Sequence, residues 1–226
     1  MQLYIGNKNY SSWSMRPWVL MKQAGIPFDE VMVRFDAFSP GSKFKTSVAR
    51  LNPAGRVPVL VDDGLAVWDT LAIAEYLAER FPDKQLWPAD LRARARARSV
   101  CAEMHSGFGA LRNAFGMNIE ASLPEVGARV LKENAEVREN VARILAMWIE
   151  LLSQHGGPML FGAFSIADAF FAPVVMRLRT YGVPLPTLVG AYVERVVALP
   201  GVAAWIADAL AEKDFLQFEE AYRTQP

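Results

Sequence analysis

Two short groups of residues between Val57 and Thr70 carry side chains and backbone atoms that suit a small peptide ligand. Pro58 has no N–H group and interrupts the ladder of a strand, which leaves the backbone of Val57 free to pair with an extended peptide. Asp69 offers a carboxylate for an ammonium group. Thr70 offers a hydroxyl and an N–H group at a predicted helix start, where anions are favoured. Together these groups match the functional groups of a γ-glutamyl tripeptide.

The elements that position these residues follow from the local pattern. Residues 57–61 form a short apolar strand, Asp62-Asp63-Gly64 supplies the positive φ of a hairpin turn, and residues 65–68 return as the partner strand. A helix then begins at Asp69-Thr70, with one apolar face at Leu71, Ala74, Leu77, Ala78 and Phe81.

This stretch resembles the glutathione transferase family in three motifs: Arg56-Val57-Pro58-Val59-Leu60, Asp69-Thr70 (Glu/Gln-Ser in most members) and Ala72-Ile73-Ala74-Glu75-Tyr76-Leu77. The resemblance implies that Arg56, Val57, Pro58, Asp69 and Thr70 bind glutathione. It also implies that Pro58 is cis, that Val57 pairs with the cysteinyl backbone, and that the Asp69-Thr70 pair holds the γ-glutamyl end. The alternative is an ordinary strand–turn–strand–helix unit.

The segment Tyr10-Ser11-Ser12-Trp13-Ser14-Met15-Arg16 is similar to the Ser-Ser-Cys-Ser-x-Arg motif of the zeta class, the maleylacetoacetate isomerases. In that alignment Ser11 takes the place of the catalytic serine, Ser12 is the second candidate, and Trp13 replaces the cysteine. A hydroxyl that lowered the thiol pKa by ~2 from ~8.5 would raise the thiolate share at pH 7 from about 3% to roughly three-quarters. Helix capping is the alternative role for these serines.

The order of predicted elements is β-α-β-α-β-β-α over residues 1–81, which is that of a thioredoxin-like α/β domain. Its other elements are a strand at 3–6, a helix at about 12–24 that stops at Gly25, a strand at 28–35 and a weak helix at 40–50. A proline-bounded linker, 82–88, precedes an all-helical domain over 89–226. This is the fold that the resemblance implies, with the electrophile bound by the second domain.

Helical patterns fill the second domain. Asp90 caps a long helix with a stripe at Val100, Cys101, Met104, Phe108 and Leu111. A second long helix is predicted over 125–153. Ser165 and Asp168 form a capping box that opens the next helix. Two more helices are predicted at 187–198 and 201–212, and the tail, 215–226, is unassigned.

Composition limits the classes of binding partner. The charges of the 24 basic and 24 acidic residues cancel, which argues against a nucleic-acid partner. Arg92, Arg94, Arg96 and Arg98 are interpreted as a solvated or interfacial helix surface. One cysteine excludes an internal disulfide and suits a reducing cytosol. No signal peptide, membrane span or metal-ligand spacing around His105 or His155 is recognisable.

The residues predicted to face the electrophile are Trp13, Met104, His105, Phe108, Arg112, Arg177 and Tyr181; plain core packing is the alternative for the aromatic and methionine side chains. Arg112 and Arg177 interrupt apolar surroundings, and arginine binds carboxylates through two parallel hydrogen bonds. The resemblance implies a homodimer that uses glutathione either to isomerise an enone acid such as maleylacetoacetate or to conjugate small electrophiles, and the single cysteine indicates that it is cytoplasmic. A non-catalytic binding or regulatory protein on the same scaffold is the competing hypothesis.

Overall fold

The computed structural model describes residues 1–225, so Pro226, the last residue of the predicted helical domain, lies outside the described part. A four-stranded sheet comes first in the chain, with strands β1 Gln2–Ile5, β2 Asp29–Met32, β3 Val59–Asp62 and β4 Leu65–Val67 in the order β2-β1-β3-β4. β1 runs parallel to β2 and antiparallel to β3, which is antiparallel to β4. Helices α1 Ser12–Ala24, α2 Lys43–Ala49 and α3 Thr70–Arg80 complete the β-α-β-α-β-β-α order that the sequence predicts.

Backbone angles confirm one predicted helix end and one predicted hairpin turn. Gly25 ends α1 in the left-handed region, at φ 64°, and its N–H bonds back to the C=O of Lys22. Asp63 and Gly64 both have positive φ, 46° and 82°, in the two-residue turn between β3 and β4. Left-handed angles at both positions give the twist that a tight hairpin needs, which explains the Asp-Gly pair.

The strand predicted at 28–35 is shorter than expected. β2 pairs with β1 only from Asp29 opposite Gln2 to Met32 opposite Ile5, because β1 itself is four residues long. The chain then leaves the sheet, and the N–H of Phe35 donates to Oδ1 of Asn7 over 2.8 Å. Residues 33–42 therefore form a loop rather than a strand.

The rest of the chain is helical. A 3-10 helix at Pro82–Lys84 leads into α4 Leu91–Ser106, α5 Gly109–Ala114, α6 Pro124–Glu133, α7 Ala135–His155, α8 Ile166–Thr180, α9 Thr187–Ala198 and α10 Pro200–Glu212. The helix predicted over 125–153 is in fact two. Asn134 has an extended backbone, φ −113° and ψ 106°, and its side chain caps α7 by accepting from the N–H of Val137. The predicted stripe is likewise divided, since Phe108 adopts φ 56° between α4 and α5.

The buried core centres on α8, which packs against α1, α4 and α9. The predicted capping box at its start is confirmed: Ser165 Oγ accepts from the N–H of Ala167, and Asp168 Oδ2 accepts from the N–H of Ser165 over 2.9 Å. Tyr192 on α9 also donates to Asp168, so the cap ties two helices together. Cys101 is fully buried in this core.

Within residues 1–225 no single helix is long and apolar enough to cross a membrane. In the described part of the chain, only α9 and α10 taken together are long and apolar enough, and the two helices are bent by 72° relative to each other.

Candidate active site

A cavity of about 1040 Å³ lies between the sheet-containing half and the helical half of the chain. One wall comes from the loop before α1, the loop after β2, α2, the segment before β3 and the start of α3. The opposite wall comes from the end of α4, from α5 and α8, and from the C-terminal tail. The two groups of residues that the sequence singles out, at 11–13 and at 56–70, meet in this cavity.

The segment before β3 offers an open backbone edge. The Val57–Pro58 peptide bond is cis, as the sequence resemblance implies. β3 pairs with β1 only from Val59 onward, and in residues 1–225 neither the N–H nor the C=O of Val57 makes a hydrogen bond. An extended ligand can therefore pair with Val57.

Asp69 and Thr70 form the start of α3 at the cavity wall. Asp69 Oδ1 accepts from the N–H of Leu71, and Oδ2 lies 3.1 Å from Nε2 of His105, which α4 brings from the helical half. Thr70 is fully buried, and its hydroxyl has no hydrogen-bonding partner within residues 1–225. A buried hydroxyl that lines a cavity and lacks a protein partner is suited to a ligand, because an unpaired buried polar group otherwise destabilises the fold.

Three serine hydroxyls surround the first turn of α1. Ser11 occupies the capping position, but its side chain makes no capping hydrogen bond in the described chain. Its oxygen instead lies 2.7 Å from Oγ of Ser14, which also accepts from the N–H of Gly6 over 3.1 Å. Ser12 Oγ accepts from Nη2 of Arg177 over 3.1 Å. Ser11 and Ser12 line the cavity, whereas Ser14 lies behind them.

Three arginines lie near this turn. Arg177, on α8, is 6% exposed and also donates to the C=O groups of Phe115 and Arg112. Arg16, on α1, is buried with its guanidinium carbon 4.4 Å from the centre of the Trp13 ring, and within residues 1–225 its Nε and Nη1 have no partner. Arg112, on α5, lies 5.6 Å from the same ring.

Burial and mutual repulsion change the proton affinity of these arginines. Burial, with the nearby charges of Arg177 and Arg112, lowers the pKa of Arg16 to about 9. Burial lowers the pKa of Arg177 to about 10, with Arg112 acting in the same direction. All three still carry charge at neutral pH, so the wall beside Ser12 is electropositive, and an anion there would relieve the repulsion.

Most of the sequence-predicted residues meet in the cavity. The lining includes Ser11, Ser12, Arg56, Val57, Pro58, Asp69 and Thr70, and four of the residues predicted to face the electrophile: Trp13, His105, Arg112 and Arg177.

Met104, Phe108 and Tyr181, by contrast, belong to the core and not to the cavity lining. Met104 lies on the buried face of α4 and is 1% exposed. Phe108 is buried at the bend between α4 and α5, and Tyr181 stacks on Phe115 with 4.4 Å between ring centres. The burial of these three residues agrees with core packing, the alternative role.

Several lining residues were not predicted. They are the aromatic residues Tyr10, Phe35, Phe38, Phe44 and Trp68, together with Lys45, Met117 and Glu219. The concentration of phenylalanines over residues 35–44 was a usable signal for an apolar wall. No sequence signal pointed to Glu219, because only the folded C-terminal tail brings it to the cavity.

Two family models match the chain: "Glutathione S-transferase, N-terminal domain" over residues 10–80 and "Glutathione S-transferase, C-terminal domain" over residues 92–208. This chain belongs to the glutathione S-transferase family. Membership confirms the predicted fold class, a thioredoxin-like sheet domain followed by helices, and it confirms a glutathione transferase enzyme with glutathione as its cosubstrate.

Individual relatives agree with the family assignment. The chain is 30% identical to glutathione S-transferase 1 of Dianthus caryophyllus, over 80% of this chain and 78% of that one. It is 30% identical to a probable maleylacetoacetate isomerase of Caenorhabditis elegans, over 82% and 84%, which confirms the zeta-like resemblance. A glutathione transferase homolog from Burkholderia, solved with bound glutathione, superposes with a TM-score of 0.69 at 27% identity, over 94% of this chain and 98% of that one.

Proposed function

We propose that this glutathione S-transferase forms the glutathione thiolate beside Ser11 and Ser12 and adds it to small electrophiles that carry a carboxylate. The observation that carries the proposal is the contact between Arg177 and Ser12, which joins an electropositive wall to the serine pair. The thiol site and the electrophile site are then adjacent in one cavity.

Glutathione occupies the part of the cavity that the sheet-containing half provides. Its cysteinyl backbone pairs with the open edge of Val57 beside the cis Pro58. Its γ-glutamyl end lies at Asp69 and Thr70. The Asp69 carboxylate holds the ammonium group, and the Thr70 hydroxyl, which has no partner within residues 1–225, donates to the γ-glutamyl carboxylate. Arg56, which also lines the cavity, adds positive charge for the negatively charged tripeptide.

The sulfur then lies at the first turn of α1, where the helix dipole favours an anion. Either hydroxyl of the Ser11–Ser14 pair can donate to the other. Since Ser14 already accepts from Gly6, it can donate to Ser11, and the Ser11 proton is then free for the sulfur. Ser12, which accepts from Arg177, can donate its own proton in the same way. Both relays stabilise the thiolate over the thiol.

Arg112 and Arg177 hold the substrate carboxylate next to the sulfur. For an enone acid such as maleylacetoacetate, the thiolate forms a C–S bond to one alkene carbon, and the alkene electrons move to the carbonyl oxygen as an enolate. The former double bond rotates, the enolate re-forms the alkene in the trans geometry, and the thiolate leaves. Glutathione is regenerated. A substrate with a leaving group would instead be conjugated.

The competing function is a non-catalytic binding or regulatory protein on this scaffold. The serine turn, defined as residues 11–14 at the start of α1, and the open backbone edge of Val57 meet in one cavity, and this combination favours catalysis. We further propose a glutathione-binding domain over 1–81, a linker over 82–88 and an electrophile-binding domain over 89–226. The family resemblance supports a homodimer, and the sequence composition supports a cytoplasmic protein with no nucleic-acid or membrane partner.

A paired assay tests the proposal. Purified protein is given maleylacetoacetate or an aryl halide, each with and without glutathione, and the thiol is counted as product forms. Glutathione-dependent isomerisation without thiol loss supports the isomerase, and loss of one thiol per product supports conjugation. Absence of glutathione-dependent turnover with either substrate would contradict catalysis and favour the binding protein.

A further inference from the structure

The C-terminal strap, defined as residues 214–223, connects both walls of the cavity. Lys213 adopts φ 54° after α10 and redirects the chain. Asp214 then accepts from Nδ2 of Asn7 over 2.6 Å, and the Tyr222 hydroxyl donates to the C=O of Ala114 over 2.7 Å. The strap therefore bonds to the loop before α1 and to the end of α5.

Glu220 anchors the middle of the strap. It is 7% exposed and accepts hydrogen bonds from the Tyr10 hydroxyl and from Nδ2 of Asn118, each over 2.8 Å. Arg223 donates to the same carboxylate over 2.6 Å. Because Tyr10 directly precedes the serine turn, this network fixes the strap against the catalytic end of the cavity.

Glu219, the neighbour of this anchor, lines the cavity. Its side chain forms no hydrogen bond or ion pair with any residue in 1–225. The carboxyl group is thus held at the substrate cavity by its neighbour's contacts, while its own hydrogen-bonding capacity stays available to a ligand.

The cavity that Glu219 lines carries ionisable groups from several elements. Arg177 on α8, Arg112 on α5 and His105 on α4 belong to the helical wall. Lys45 on α2, Arg56 and Asp69 belong to the opposite wall, and Glu220 is the neighbour of Glu219 in the strap. Burial raises the pKa of Glu219 to about 7, assisted by the negative charge of Glu220 and opposed by the positive charge of Arg177. The Glu219 carboxyl therefore changes charge near neutral pH.

We propose that Glu219 is a specificity-determining residue that sets how strongly the electrophile site binds negatively charged substrates. Ionised, it offsets the positive charge of Arg112 and Arg177 and disfavours dicarboxylates; protonated, it leaves that charge undiminished. The inference rests on the proposed function, in that it assigns the electrophile to the wall formed by these arginines.

Binding of two matched adducts tests the role without requiring turnover. S-(1,2-dicarboxyethyl)glutathione places two carboxylates at the electrophile site, and its dimethyl ester on the same two groups is the neutral control. The dissociation constants of both are measured by calorimetry at pH 6 and pH 8. The proteins are the unchanged chain, Glu219→Gln, and Glu139→Gln, which alters an exposed glutamate on α7 away from the cavity.

At pH 8 we expect Glu219→Gln to bind the dicarboxylate adduct about fivefold more tightly than the unchanged chain, because one opposing charge is removed. At pH 6 the two should agree within about twofold, since a protonated carboxyl and an amide are then both neutral. The ester should bind equally to all three proteins at both pH values. The other ionisable groups that line the cavity are common to the three proteins and cancel in the ratio.

Equal affinities of Glu219→Gln and the unchanged chain for the dicarboxylate adduct at pH 8, or a matching change for the ester, would overturn the role of Glu219. Those outcomes leave the proposed function intact, because both adducts still bind. If neither adduct binds the unchanged chain, the glutathione site itself is wrong and both proposals fail.

Discussion

Arg177 and Ser12 stand 165 residues apart in the chain, yet Nη2 of Arg177 donates a 3.1 Å hydrogen bond to Oγ of Ser12. The guanidinium is buried and also bonds to two backbone carbonyls of the α5 region. One side chain therefore connects the helical half to the serine turn of the sheet-containing half, and any change at Arg177 acts on both the proposed thiol site and the proposed carboxylate site.

Replacing Arg177 by lysine should weaken the handling of anionic substrates in particular. Lysine keeps a positive charge but lacks the planar fork that binds a carboxylate through two hydrogen bonds. We expect the KM for a carboxylate-bearing electrophile to rise about tenfold, which corresponds to about 1.4 kcal/mol, and to rise much less for a neutral aryl halide.

The matched control for this prediction is Arg179→Lys, an exposed position on the same helix. It should leave both KM values unchanged. Equal increases in KM for the anionic and the neutral substrate in Arg177→Lys would show that Arg177 does not bind the substrate carboxylate.

Thr70→Val should separate ligand binding from stability. Valine has the shape of threonine without the hydroxyl, and in residues 1–225 that hydroxyl has no protein partner to lose. We expect the free energy of unfolding to stay the same or to increase. The glutathione Kd should rise about tenfold, because a ligand hydrogen bond of about 1.4 kcal/mol is lost.

Thr180→Val serves as the contrast, because the Thr180 hydroxyl donates to the C=O of Asn118 over 2.7 Å. That variant should lose about 1 kcal/mol of stability in denaturant unfolding and keep its glutathione affinity. Unaltered glutathione binding in Thr70→Val would remove Thr70 from the proposed γ-glutamyl site.

Ser165→Ala should reduce stability without affecting chemistry. It removes the capping oxygen at the start of α8, which packs against α1 beneath the serine turn. We expect a loss of about 1–2 kcal/mol in chemical denaturation, with kcat unchanged below the unfolding transition. Ser153→Ala, at an exposed position of α7, should have the same unfolding free energy as the unchanged chain. A stable Ser165→Ala variant would mean that the core alone specifies the helix start.

The sequence predicted the cavity wall of the sheet-containing half better than the wall of the helical half. The Val57–Pro58 edge, the Asp69-Thr70 helix start and the serine turn are each local features, set by a proline, a cap and a short motif within a few residues. Local structures of this kind can be predicted from the sequence because residues close in the chain determine them.

The wall of the helical half depends on which face of each helix meets the core. Met104 lies one residue before His105, yet Met104 is buried in the core while His105 lies beside Asp69. Apolar periodicity does not distinguish a face that lines a cavity from one that packs in the core. Glu219 was inaccessible to sequence reasoning because its position depends on contacts of the strap with Tyr10 and Asn118, 210 and 102 residues away from Glu220.

The most direct test of serine activation is a spectroscopic titration of the glutathione thiolate bound to the protein. In the unchanged chain we expect a thiol pKa of about 6.5, roughly two below that of the free thiol. In Ser11→Ala it should return towards about 8, with turnover falling more than glutathione affinity, and Ser12→Ala tests the second hydroxyl in the same way. A thiol pKa that is the same in the unchanged chain and in both serine variants would contradict the account.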